Sequence, residues 1–103
     1  MITPGIVLTT VGCREEGDRI ATALITENLA ACITLFPISS IYRWQGEICN
    51  ASEIQLLIKT DLNRFEQIQA RIQQLHSYDL PEVVALPITQ GSEAYLTWIQ
   101  QQL

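Results

Sequence analysis

Residues 32–60 carry the pattern that most restricts what this chain can become. Ile54, Leu56 and Ile58 alternate with Glu53, Gln55, Leu57 and Lys59, a period of two that belongs to a strand with one buried face. Upstream, Gln45-Gly46 supplies a turn, and the run from Cys32 through Phe36 and on to Tyr42 and Trp44 has β character of its own. Together they predict a long antiparallel hairpin with residues 48–60 as its second arm. Pro37 lacks a backbone donor, so the first arm either bulges there or has that side unpaired.

The rest of the chain fits around this hairpin. Residues 5–11, Gly-Ile-Val-Leu-Thr-Thr-Val, are apolar and β-branched and read as a central strand. Ile20, Ala23 and Leu24 at helical spacing, opposed by Glu15, Glu16, Asp18 and Arg19, predict an amphipathic helix over about 15–28. Asn63 followed by Glu66 resembles a capping box, and Phe65, Ile68, Ile72 and Leu75 mark the buried stripe of a second helix that ends at 76–81. Residues 83–88 form a further apolar strand. Gly91-Ser92 opens a last helix that carries Tyr95, Leu96, Trp98 and Ile99. The order is strand, helix, strand, strand, helix, strand and terminal helix, an α+β chain of the ferredoxin-like, split β-α-β kind. Its helices are expected on one face of a four-stranded antiparallel sheet, within a single domain spanning 1–103.

Charge removes several functions. The net charge is −5, and the six Lys and Arg residues are scattered singly, so there is no basic stripe for nucleic acid or for an anionic membrane. No apolar run reaches the roughly eighteen residues of a membrane span and no secretory pattern opens the chain, which predicts a soluble, cytoplasmic protein. Cys13, Cys32 and Cys49 are widely spaced with no C-x-x-C pair, as expected of reduced thiols and not of a disulfide framework or a zinc site. No phosphate-binding glycine loop and no nucleophile motif is present, so no enzyme activity is expected.

Three blocks have a specific look: 28–32 (Asn-Leu-Ala-Ala-Cys), 41–48 (Ile-Tyr-Arg-Trp-Gln-Gly-Glu-Ile) and 78–88 (Tyr-Asp-Leu-Pro-Glu-Val-Val-Ala-Leu-Pro-Ile). With their spacing, and with the closing Tyr95-Leu96-Thr97-Trp98, the chain resembles the CutA (divalent-cation tolerance) family over essentially its whole length. That resemblance implies a ferredoxin-like protomer in a homotrimer similar to the PII signalling proteins, associated with copper and other divalent cations. It also implies metal ligands at a first-strand Cys and at two His before the Tyr-x-x-Pro-Glu block. Here Thr9 and Leu75 stand at two of those places, and only His76 is kept.

The candidate residues follow. His76 is the candidate ligand for Cu(II) or another divalent cation, since a neutral imidazole suits copper. Cys32, Lys59, Tyr78, Glu82 and Tyr95 are candidates for a polar pocket between subunits. In the alternative reading that pocket makes the protein a PII-like sensor of a small anionic metabolite. Tyr42 and Trp44, on one face near the hairpin tip, are expected at the trimer interface.

Overall fold

The structure, a computed structural model, describes residues 2–103. Its elements are β1 (Pro4–Val11), α1 (Arg14–Thr26), β2 (Cys32–Trp44), β3 (Glu47–Asp61), a single 3-10 turn (Leu62–Arg64), α2 (Phe65–Leu75), β4 (Val84–Pro87) and α3 (Glu93–Gln101). The four strands form one antiparallel sheet in the order β2-β3-β1-β4. This is the ferredoxin-like arrangement that the alternation and helix periods predict.

The hairpin pairs without interruption from Cys32↔Lys59 to Trp44↔Glu47. Pro37 therefore causes no bulge. It sits opposite Ile54 on the outermost strand, where its missing donor faces away from the ladder. The turn has Gln45 at φ 52° and Gly46 at φ 82°, the two left-handed residues of a type I′ connection, which matches the twist of the arms. β1 pairs only with residues 54–61 of β3, so residues 47–53 and their partners in β2 project as a two-stranded ribbon.

Helix ends explain two local features. α1 ends at Thr26 and is closed by Asn28, whose φ of 59° permits a Schellman closure in which Leu29 N–H donates to Leu24 O and Asn28 N–H to Ile25 O. The capping box expected at Asn63 and Glu66 is not formed. Asp61 instead accepts from the N–H groups of Asn63 and Thr3, so the 3-10 turn is capped and α2 starts one step later behind Arg64 without a side-chain cap. Ser92 does cap α3, accepting from Tyr95 N–H.

The core lies between the sheet and α1 with α2. Val7, Val11, Ile20, Leu24, Leu56, Ile58, Ile68 and Ile72 are wholly buried in it. α3 departs from the expectation that all helices share one face. Its Tyr95 meets Lys59, a side chain that alternation places on the sheet face opposite Ile58, so α3 covers one end of the other face. The remainder of that second face stays open, with Phe36, Val84 and Leu86 at 38, 47 and 48% exposure.

Candidate functional site

At the free end of the second face, the loop after α2 runs beneath the hairpin ribbon. Four hydrogen bonds pin it. His76 Nε2 lies 2.7 Å from Thr10 O, and Tyr78 N–H approaches His76 Nδ1 at 3.0 Å. Since Nδ1 accepts, the ring proton sits on Nε2 and is donated to the Thr10 carbonyl. Ser77 is then gripped by Glu16, whose carboxylate accepts from its N–H at 2.7 Å and from its O–H at 3.1 Å. Burial pushes the Glu16 carboxyl up, but these bonds to Ser77, with a smaller attraction from Arg19, outweigh it and hold Glu16 below its ordinary 4.5.

The loop so fixed presents Tyr78. Its O–H donates to Glu53 Oε2 at 3.0 Å, and Gly12 makes room for it, because a Cβ there would stand 3.3 Å from the phenol oxygen. Burial first, and then the Glu53 carboxylate, push the Tyr78 phenol up to about 12. It is a neutral donor at any physiological pH. The stability it contributes is complete below its ordinary value of 10 and is lost as pH climbs toward 12.

Between this loop and the ribbon lies a cleft of about 590 Å³, walled by Tyr42, Trp44 and Ser40 on one side and by Tyr78, Asp79 and Glu82 on the other, with Thr10 and Glu53 on its sheet side. Gln55 Nε2 donates to Thr9 O at 2.9 Å and reaches Glu82 Oε2 at 3.4 Å, tying the loop's far end to the sheet.

The expected pocket residues divide into two groups within one chain. Tyr78 and Glu82 share the cleft with Tyr42 and Trp44. Lys59 and Tyr95 form a separate cluster, in which Lys59 Nζ donates to Tyr95 O–H at 3.1 Å and lies 5.2 Å from the ring centre, with Cys32 opposite Lys59 in register. The bond to Tyr95 holds the ammonium above its ordinary value. Glu53 and Lys59 are six positions apart on β3, roughly 20 Å along the strand. An anionic metabolite finds three carboxylates and no Lys or Arg in the cleft of one protomer.

The metal positions named by the resemblance do not make a donor set here. Thr9 is fully buried on the core face, with its hydroxyl the one buried side-chain polar atom lacking a partner among the described residues. Leu75 offers no donor. His76 has both nitrogens committed, and no cluster of three His, Cys, Asp or Glu among the described residues could hold an ion. Direct ligation by His76 would break a bond that fixes the loop.

Two working residues escaped the sequence reading. Glu16 looked like one more acidic residue in the first turn of α1, and Glu53 like the polar member of an alternation. Their partners Ser77 and Tyr78 lie 61 and 25 positions away, so only the fold joins them. Glu53's outward register was the one available signal.

Comparison with known proteins places this architecture. The family model described as CutA1 divalent ion tolerance protein matches residues 5–102. A divalent-cation tolerance protein CutA from Thermus thermophilus is 45% identical over 97 residues, covering 93% of this chain and 94% of that one. The chloroplastic CutA of Arabidopsis thaliana is 43% identical over 92% of this chain, which spans about half, 53%, of that longer protein. Among solved structures, one described as the periplasmic divalent cation tolerance protein CutA from Archaeoglobus fulgidus superposes with a TM-score of 0.94 at 34% identity, covering 96% of this chain and 97% of that chain. No helix among the described residues is long and apolar enough to cross a membrane.

Proposed function

The chain belongs to the CutA1 family of divalent ion tolerance proteins, and from that premise we propose that it works as a homotrimer in the response to divalent metal ions, through binding and without catalytic chemistry. The observation that carries the trimer is the second face of the sheet. A chain of this length leaves Phe36, Val84 and Leu86 open there, and projects a ribbon whose Tyr42 and Trp44 are 45 and 50% exposed and whose Ile41 and Ile48 are each 72% exposed. Monomers rarely leave so many large apolar side chains in water, and a closed ring of copies would cover them together with the unpaired edges of β2 and β4.

The three free thiols, none in a disulfide, support a reducing cytoplasmic setting. For the ions, the cleft carboxylates Glu53, Asp79 and Glu82 offer the negative potential, while His76 serves as a latch for the loop. Copper(II) and its neighbours are then held weakly and without His76. Unfolding temperatures measured across a hundredfold range of protein concentration test the assembly. They should rise with concentration, since folding and association are linked, and a midpoint independent of concentration speaks against the trimer. Calorimetric titration of Cu(II) at pH 7 tests the ion reading: equal, weak affinities are expected for wild type and His76→Ala, and a marked loss in the variant would return His76 to the metal.

A further inference from the structure

The second face of the sheet carries opposite charges at its two ends. Alternation along β3 puts Glu53 and Lys59 on this face, and the register sets Phe36, Leu57 and Val84 in the rows between them. At one end Lys59 Nζ spends one of its three donors on Tyr95 O–H at 3.1 Å, and α3 steadies that contact by stacking Tyr95 on Trp98 at 5.5 Å. No carboxylate lies within ion-pair distance of Lys59 among the described residues. At the other end Glu53, Asp79 and Glu82 line the cleft with no Lys or Arg beside them. One chain thus leaves its ammonium and these carboxylates unneutralised about 20 Å apart, on the same surface that holds the open apolar side chains.

Symmetry limits what such a face can meet. In a closed ring of three every contact is heterologous, so one patch of a copy meets a different patch of the next. A face with opposite charges at separate ends supplies that pair of patches, whereas joining like ends would set carboxylates against carboxylates. We infer that Lys59 of one copy enters the acidic cleft of the next and pairs with the carboxylates of Glu53, Asp79 and Glu82 there. The inference rests on the homotrimer reading and gives that ring its direction. The cleft is complete only when two copies meet, with Tyr42 and Trp44 covered by the neighbour. The ion pair fixes which ends come together more than it adds to affinity. An ammonium held there also lowers the negative potential left for a metal ion, in keeping with weak ion binding.

Lys59 is the one lysine of the chain, so carbodiimide coupling, which joins an ammonium directly to a carboxylate in contact with it, tests the pairing on the wild-type protein. Covalent dimers and trimers are expected, with Lys59 joined to residue 53, 79 or 82, and the separation within a chain assigns such a bond to two different copies. Sedimentation on dilution measures the effect of charge. Lys59→Glu should raise the concentration at which trimers dissociate by about tenfold or more, because it leaves the partner carboxylates uncompensated. Arg14→Glu, an equal change of charge at an exposed position of α1, should dissociate as wild type does. Adding Glu82→Lys to Lys59→Glu should regain most of the loss. Absence of a bond from Lys59 to the cleft, an equal effect of Arg14→Glu, or a double variant no tighter than Lys59→Glu alone overturns the inference while a wild-type trimer mass leaves the assembly standing. A single-chain mass for wild type instead defeats the assembly, and this pairing with it.

Discussion

β3 is one strand with two fates. Its second half, residues 54–61, lies between β1 and β2 under the helices, and Leu56, Ile58 and Thr60 are fully buried there. Its first half, residues 47–53, has only β2 beside it, and Ile48 is 72% exposed. The same alternation of side chains thus builds a self-sufficient core at one end and an unfinished surface at the other. A chain-intrinsic core supplies the fold, and the surface left over is the one that the proposed assembly would cover.

The sharpest way to break this contrast is to damage each end in turn. Ile72→Ala, in the core, should cost about 2–5 kcal/mol of folding stability, visible by denaturant unfolding at any protein concentration. Trp44→Ala, on the ribbon, should cost about 2 kcal/mol or more in association. Its circular dichroism should stay native, and its effect should appear as dissociation on dilution. If Trp44→Ala unfolded the chain as Ile72→Ala does, the two ends would not be separable.

The junction between the ends should respond to acid. Glu16 holds Ser77 with its carboxyl lowered, so its contribution is present above its ordinary pKa and is lost as pH falls through the lower folded value. Glu16→Gln should therefore lose about 1 kcal/mol at pH 7, through weaker bonds to Ser77. The difference from wild type should shrink as pH falls below the ordinary value of 4.5, which thermal unfolding across a pH series would reveal. A constant difference at every pH would mean that the charge is irrelevant.

The smallest change should be a gain. Thr9 buries a hydroxyl without a partner, and Thr9→Val removes that atom at nearly constant shape. The result should be up to about 1 kcal/mol of added stability, read as a raised midpoint in urea. A loss would show that the hydroxyl has a partner in solution.

The sequence made the two ends unequally legible. Periodicity is local, so the alternation of 54–60, the Gln45-Gly46 turn and the stripes Ile20/Leu24 and Ile68/Ile72 predict their elements nearly to the residue. Caps were less secure because acceptors compete: Asp61, as the strand's last residue, reached Asn63 N–H before Asn63 could cap α2 itself. The terminal helix lies on the face opposite to α1 and α2, which its own apolar residues do not reveal, since they do not say which side of the sheet they meet. The site was legible as residue types but not as a constellation. Tyr78 and Glu82 do line a cleft with Tyr42 and Trp44, while Lys59, Tyr95 and Cys32 cluster elsewhere, and His76 is buried with two backbone groups at its nitrogens, which the sequence does not show.

Everything in the contrast between the two ends of β3 depends on copies of the chain completing the open one. Sedimentation equilibrium on the wild-type protein at micromolar concentration addresses this directly. It should return three times the mass of one chain, and a single-chain mass under those conditions would contradict it.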